Sequence, residues 1–340
     1  MNIGLIPDKN KPSLPKQELE DYNILIFSEP GGGKTSFANN FNDCLLILFE
    51  NSAKAMLSNE IILSDKVQKI QKYKYSWELF QDVVDEFNAG KHDFKTIGAD
   101  TATRAYESAM EYIVNTKLKG IHPSVLMKEN DSSGYSMLNE ELQKQFGKML
   151  NSDYGTIITA HAKYKDIVDI KGIKRKQLVP DTGGSFGRWL MGEVDIIIYL
   201  DKNENGERIF RLEGTKDYNA KQRLNFDKDI INVECPDPDD PNPGKYAYEV
   251  FKKEFDKAIE KLNKNLGITQ EMIDGYQESL EKEEKLDELI PKIIKIAKDL
   301  NLNGTKNAKV MKEVVGCESI KELNYDQAKK YLKYLKEDYK

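Results

Sequence analysis

The sequence predicts an α/β fold: a mainly parallel sheet with helices on both faces, followed by a separate helical tail. Three observations carry that expectation. A strand-like run at 23–28, NILIFS, passes through a glycine-rich loop into helix-compatible residues. Apolar runs of strand length then alternate with segments of helical period, the pattern of a sheet covered on both sides. Beyond a proline-rich acidic stretch, the chain turns lysine- and glutamate-rich at helical spacing. With 340 residues, 32% of them charged and 39% hydrophobic, there is room for two or three ordinary globular units.

Taken in order, residues 1–21 form a polar, proline-bearing extension without a secretory core. The longest apolar runs, such as VDIIIYL at 194–200, fall far below the roughly 18 residues of a membrane span. A cytoplasmic protein with no membrane partner is expected. The core is expected over 22–231. After the loop, 35–42 fits a helix and CLLILFE (44–50) a strand ending in Glu50. Residues 52–90 mix short signals, with an amphipathic helix at 77–87. FKTIGAD (94–100) is a strand ending at Asp100, and a helix follows it. Residues 119–135 read as loop, 136–150 as helix, and GTIITAH (155–161) as a buried strand ending at His161. VDIIIYL and RIFRLEG add two more strands. An acidic proline-rich linker and helix is expected at 232–274, then a helical tail at 275–340. In the tail, Pro291 marks a kink or a helix start, and Asn324 and Gln327 have capping-box spacing ahead of Ala328, Tyr331, Leu332 and Leu335. Cys44, Cys235 and Cys317 are widely spaced and suit packing rather than a disulfide framework or a zinc site.

The stretch from Ser28 to Thr35 fits G-x-x-x-x-G-K-[ST] except that its first glycine is Ser28, so an adjusted loop geometry is expected. Such a loop aims backbone N–H groups of Glu29, Pro30's neighbours, Gly31, Gly32, Gly33, Lys34, Thr35 and Ser36 at a polyphosphate. Lys34 then reaches the β- and γ-phosphates and the Thr35 hydroxyl holds Mg2+. ATP and Mg2+ are the expected cofactors, with Asp100 as the magnesium carboxylate or, alternatively, the cap of the helix after it. Glu50, placed beside the phosphate-loop strand, polarises the attacking water or is an exposed loop carboxylate. His161 senses the γ-phosphate or is a structural histidine. Lys216, Lys221 and Arg223 end a late strand without an obvious partner in the chain; they reach a neighbouring subunit's phosphates or are surface cations.

A net charge of -6 and a pI near 5.5 exclude wholesale coating of nucleic acid but leave room for a local basic site. Residues 163–188 hold one. Lys163, Lys165, Lys171, Lys174, Arg175 and Lys176 outnumber the acids there, on a hairpin turning near Lys171-Gly172. This is either a single-stranded DNA grip, with Tyr164, Phe186 or Trp189 stacking bases, or a solvated hairpin.

The loop, Glu50, Asp100, the T-A-H at 159–161 and the K-x-R at 221–223 resemble, in order, the motifs of RecA-like ATPases. The chain is most similar to the short phage-encoded RecA-like proteins, some of which are single-strand annealing recombinases, over about residues 20–228. That resemblance implies a RecA-like P-loop NTPase core with a C-terminal helical domain. It implies a DNA-stimulated ATPase, ATP held between protomers of a ring or filament, and action in the host cytoplasm. The helical tail would contact a replication or single-strand-binding protein. A nucleotide or nucleoside kinase built on the same loop would want an arginine-rich lid, and the six arginines do not cluster as one. A nucleotide-gated assembly or helicase-loader protein with little turnover is the other reading.

Overall fold

The computed structural model describes residues 13–54, 56–128, 131–168, 172–302 and 304–339, the side chain of Glu284 excepted. The chain divides into two compact units, one of Lys16–Leu262 and one from Asn263 onward.

The first unit begins with β1 (Asn23–Ser28), α1 (Lys34–Ala38), β2 (Cys44–Leu48), β3 (Glu60–Ile62), α2 (Leu63–Lys69) and α3 (Ser76–Asn88). It continues with β4 (Thr96–Asp100), α4 (Ala102–Thr116), α5 (Pro123–Lys128), α6 (Ser133–Leu150) and the long β5 (Gly155–Val168). β6 (Lys174–Pro180), α7 (Gly184–Glu193), β7 (Ile196–Lys202), β8 (Arg208–Arg211), β9 (Ile230–Asn232) and α8 (Pro243–Leu266) complete it. The sheet order is β3-β2-β4-β5-β1-β7-β8-β9, parallel from β3 to β7, with β8 and β9 antiparallel at one edge and β6 paired antiparallel to β5. This is the expected α/β core with a mainly parallel sheet.

Strand alternation explains why the sheet is buried on both faces. Leu25, Phe27, Ile47, Ile97, Ile158 and Ala160 join one core with α3, α4, α6 and α7. Ile24, Ile26, Leu46, Leu48 and Ile157 join the other with α1, β8 and α8. Gly98 is small because a Cβ there would sit 2.6 Å from Leu46 Cδ1.

Four expectations change. The core does not end at 231, because Ala247, Phe251, Phe255, Ala258 and Ile259 of α8 are buried with Phe37 and Phe210. Residues 119–135 are not all loop, since α5 lies among them. β5 does not stop at His161 but runs on into the hairpin. Pro291 does not start a helix. It lies inside α9 (Gln270–Asp299), the first helix of the second unit.

That unit continues with α10 (Gly304–Val315) and α11 (Tyr325–Glu337) around Ile293, Ala297, Met311, Ala328, Tyr331 and Leu335. Asn324 and Gln327 form the capping box on α11, and the Tyr331 hydroxyl donates to Asn307 Oδ1 at 2.5 Å. All three cysteines are free, Cys44 within the core and the other two partly exposed. Among the described residues no helix is long and apolar enough to cross a membrane.

Candidate active site

The phosphate loop turns through left-handed backbone at Gly31 (φ 78°) and Gly33 (φ 106°), where a side chain would be strained. Ser28, the departure from the motif, is used. Its Oγ donates to Glu29 O at 2.8 Å and accepts from Lys34 Nζ at 3.1 Å. A Cβ on Gly32 would lie 2.3 Å from that oxygen, so the serine as placed leaves no room for a side chain there. Lys34 also donates to Ser28 O at 3.3 Å and Glu29 O at 3.2 Å, and is nearly fully buried. Burial lowers the Lys34 pKa, against the opposing pull of the Asp100 and Glu50 charges. Glu29 and Pro30 stay exposed at the outside of the loop.

Asp100 is fully buried at the end of β4 and accepts from three hydroxyls. Thr35 Oγ1 lies 3.0 Å from Oδ2, Ser52 Oγ lies 2.6 Å from Oδ2, and Thr159 Oγ1 donates to Oδ1. Asp100 is not the cap of α4. Thr101 is, accepting from Arg104 N at 3.3 Å. The pairing of Thr35 with one carboxylate offers hard oxygen donors only, which fits Mg2+ with its remaining positions on water and phosphate. Among the described residues no group of three or more His, Cys, Asp or Glu side chains forms a metal cage, so softer all-protein sites find no counterpart.

Glu50 does not stand beside the phosphate-loop strand, because β4 and β5 separate β2 from β1. It reaches the site from two residues beyond β2. Oε1 lies 3.4 Å from His161 Nε2 and Oε2 lies 3.2 Å from Arg104 Nε. Arg104 also binds Glu107 at 2.7 Å, and these two carboxylates, Glu107 first, raise its pKa. His161 is opposite Ser28 in the β1–β5 register, and its Nδ1 is buried without a hydrogen-bond partner among the described residues. Its main chain is tied on both sides, N to Thr103 Oγ1 at 3.0 Å and O to Asp181 N at 2.7 Å. A cleft of about 600 Å³ opens between these groups and Lys34, Thr35 and Ser36. Sequence reasoning missed Ser52 and Arg104. Ser52 lies in a loop without a motif, and Arg104 carried no signal beyond its place one turn into a helix.

The hairpin forms as expected, but its cations divide. Cross-strand partners share a face, so Lys163, Lys165 and Arg175 lie on one side and Lys174 and Lys176 on the other. Lys163 is paired with Asp181 at 2.5 Å. Lys171 lies outside the described residues. Phe186 is fully buried and Trp189 is stacked on it at 5.9 Å, which leaves Tyr164, 64% exposed, as the aromatic able to meet a base. Lys221 and Arg223 do have partners in the chain. Lys221 Nζ donates to the carbonyls of Met191, Gly192 and Val194 at 2.9, 3.0 and 2.7 Å, closing the C-terminal end of α7. Arg223 binds Asp195 at 3.0 Å and Gly192 O at 3.2 Å. Lys216 is exposed.

A family model described as AAA domain matches residues 20–224. No curated protein matches the chain. Among solved structures, a KaiC-like protein from the hyperthermophilic archaeon Pyrococcus horikoshii OT3 is similar at 15% identity and a TM-score of 0.28, over 63% of this chain and 89% of that one.

Proposed function

The chain belongs to the AAA domain family and is a P-loop ATPase; from that premise we propose that it is a magnesium-dependent, DNA-stimulated ATPase. It binds single-stranded DNA in recombination, annealing or replication and works as a homo-oligomer, with its helical tail engaging a replication or single-strand-binding protein. One observation carries the nucleic-acid reading. β5 is a single strand that holds His161 against Glu50 at its middle and carries the basic hairpin on the half that follows. A shift of His161 on binding the γ-phosphate is therefore passed along rigid backbone to Lys165 and Tyr164.

In the chemical step Lys34 and the loop amides hold the phosphates; Thr35 and Asp100 would hold Mg2+, which would supply charge compensation for the transferring group. Ser52 and Thr159 fix the Asp100 carboxylate by hydrogen bonds, and Glu50 orients the water. Lys221 and Arg223 serve across a subunit interface only by releasing the end of α7. That prior engagement supports the second reading, a nucleotide-gated assembly or loader protein with little turnover.

Steady-state ATP hydrolysis with and without single-stranded DNA, at two salt concentrations, decides between them. DNA stimulation that fades with salt is expected from phosphate contacts. ATP binding without any stimulation would remove the DNA-dependent reading and leave the gated assembly protein.

A further inference from the structure

α4 leaves the sheet directly after Asp100 and Thr101, and its first turn supplies groups that hold both His161 and Glu50. Thr103 Oγ1 accepts from His161 N at 3.0 Å and donates to Asp181 O at 2.7 Å. Arg104 lines the cleft and donates from Nε to Glu50 Oε2 at 3.2 Å. Glu50 itself lies two residues beyond β2, outside regular structure. Among the described residues its carboxylate meets one other partner, His161 Nε2, 3.4 Å from Oε1.

Arg104 is anchored in turn. Its Nη1 donates to Glu107 Oε2 at 2.7 Å, one turn further along α4. A guanidinium is planar and presents its N–H donors in fixed directions, so the bond to Glu107 sets the direction in which Nε points at Glu50. The position is a poor one for the helix. Arg104 is the third residue of α4, where the positive end of the helix dipole disfavours a cation. An arginine followed by glutamate, both about half exposed to water, returns little of that cost. Stability of α4 therefore does not account for an arginine here, whereas its contact in the cleft does.

We propose that Arg104 is a positioning residue for ATP hydrolysis, which holds Glu50 so that its remaining lone pairs meet the attacking water. The inference rests on the ATPase reading above, with Glu50 as the group that orients that water. A carboxylate oxygen accepts more than one hydrogen bond, so the contacts to Arg104 and His161 leave room for a water. Misplacing such a group by about 1 Å costs about 100-fold in rate. The role runs through Glu50, not through a contact with phosphate.

A double-substitution cycle on the full-length protein, read by single-turnover hydrolysis and equilibrium ATP binding, tests this. Arg104→Gln should lower the hydrolysis rate by about 10- to 100-fold, with ATP affinity within about threefold of the wild type and the melting temperature no lower. In a Glu50→Gln background, whose own loss is about 100-fold or more, the same substitution should cost less than about threefold further. Arg104→Lys keeps the charge without the planar fork and should leave most of the loss in place. Losses that multiply in the double variant, or an ATP affinity or melting temperature that falls with the rate, would show that Arg104 acts on the nucleotide or on the fold, and would overturn the inference while Glu50 keeps its role. A full rate in Arg104→Gln overturns it as well, and a full rate in Arg104→Lys does so by reducing the arginine to its charge. A Glu50→Gln variant that hydrolyses like the wild type, or a wild type that binds ATP without hydrolysing it, would overturn the reading of Glu50 beneath the inference and the inference with it.

Discussion

The two sides of the phosphate loop are built on opposite principles. On the side of Asp100 the site is a set of interlocked polar groups: three hydroxyls on one buried carboxylate, and Glu50 held between His161 and Arg104. On the side of α8 apolar side chains of Phe210, Leu200, Val233 and Ala247 face the main chain of the loop, with one arginine donor left over among the described residues. Charge that changes during a reaction needs fixed dipoles around it, whereas a group that only has to be held needs area and shape. The difference separates rate from affinity. Substitutions on the first side should move turnover, and substitutions on the second should move binding.

The largest effect that sharpens this division is Glu50→Gln. Removing a group that orients or deprotonates water lowers turnover by about 100-fold or more, while ATP affinity stays within about threefold. Single-turnover hydrolysis and an equilibrium titration on the same variant measure both. Turnover that barely changes would take the catalytic role from Glu50 and favour the nucleotide-gated assembly protein.

Next is Gly244→Ala on the apolar side. The added methyl meets the Ser36 carbonyl, so α8 must shift away from α1 at a cost of about 1–3 kcal/mol, read from the denaturant midpoint. Gly184→Ala is the control, because a Cβ there has no atom within 4 Å and the change should stay within about 0.5 kcal/mol. Equal midpoints for the two variants would mean that α8 is not held against the loop by that contact.

The polar side was largely legible in the sequence and the apolar side was not. A phosphate loop has fixed spacing because backbone amides must converge on one anion, so Gly31, Gly33, Lys34 and Thr35 declare themselves. Asp100 follows because carboxylates at strand ends of a parallel sheet reach the same edge as the loop. Strand order is less accessible. Glu50 was placed beside β1, yet β4 and β5 intervene, and only the reach of its loop brings it to His161. The division of the hairpin cations follows from register, which a one-residue shift would reverse. The partners of Lys221 are carbonyl oxygens at a helix end, and main-chain groups carry no residue signature. The apolar side chains beside the loop were invisible for a related reason. Phe210, Val233 and Ala247 have the composition of any core, and residues 232–274 read as a linker and helix outside the core, whereas α8 packs on α1.

The smallest effect concerns Lys34, which sits where the two sides meet. Burial depresses its pKa below the ordinary 10.5, so the unfolded chain binds its proton more tightly than the folded one. Stability therefore rises with pH in the window between the depressed value and 10.5, as the buried charge is given up. Lys34→Met lacks that response. The melting temperature of the wild type relative to Lys34→Met should climb as pH is raised from about 8 towards about 10, without nucleotide present. Adding tripolyphosphate should flatten the climb, because phosphate charge beside the ammonium favours its protonated form. A difference that is independent of pH would show that Lys34 keeps its proton equally well in both states, through its bonds to Ser28 and Glu29, and that burial in the loop is not what its three acceptors are offsetting.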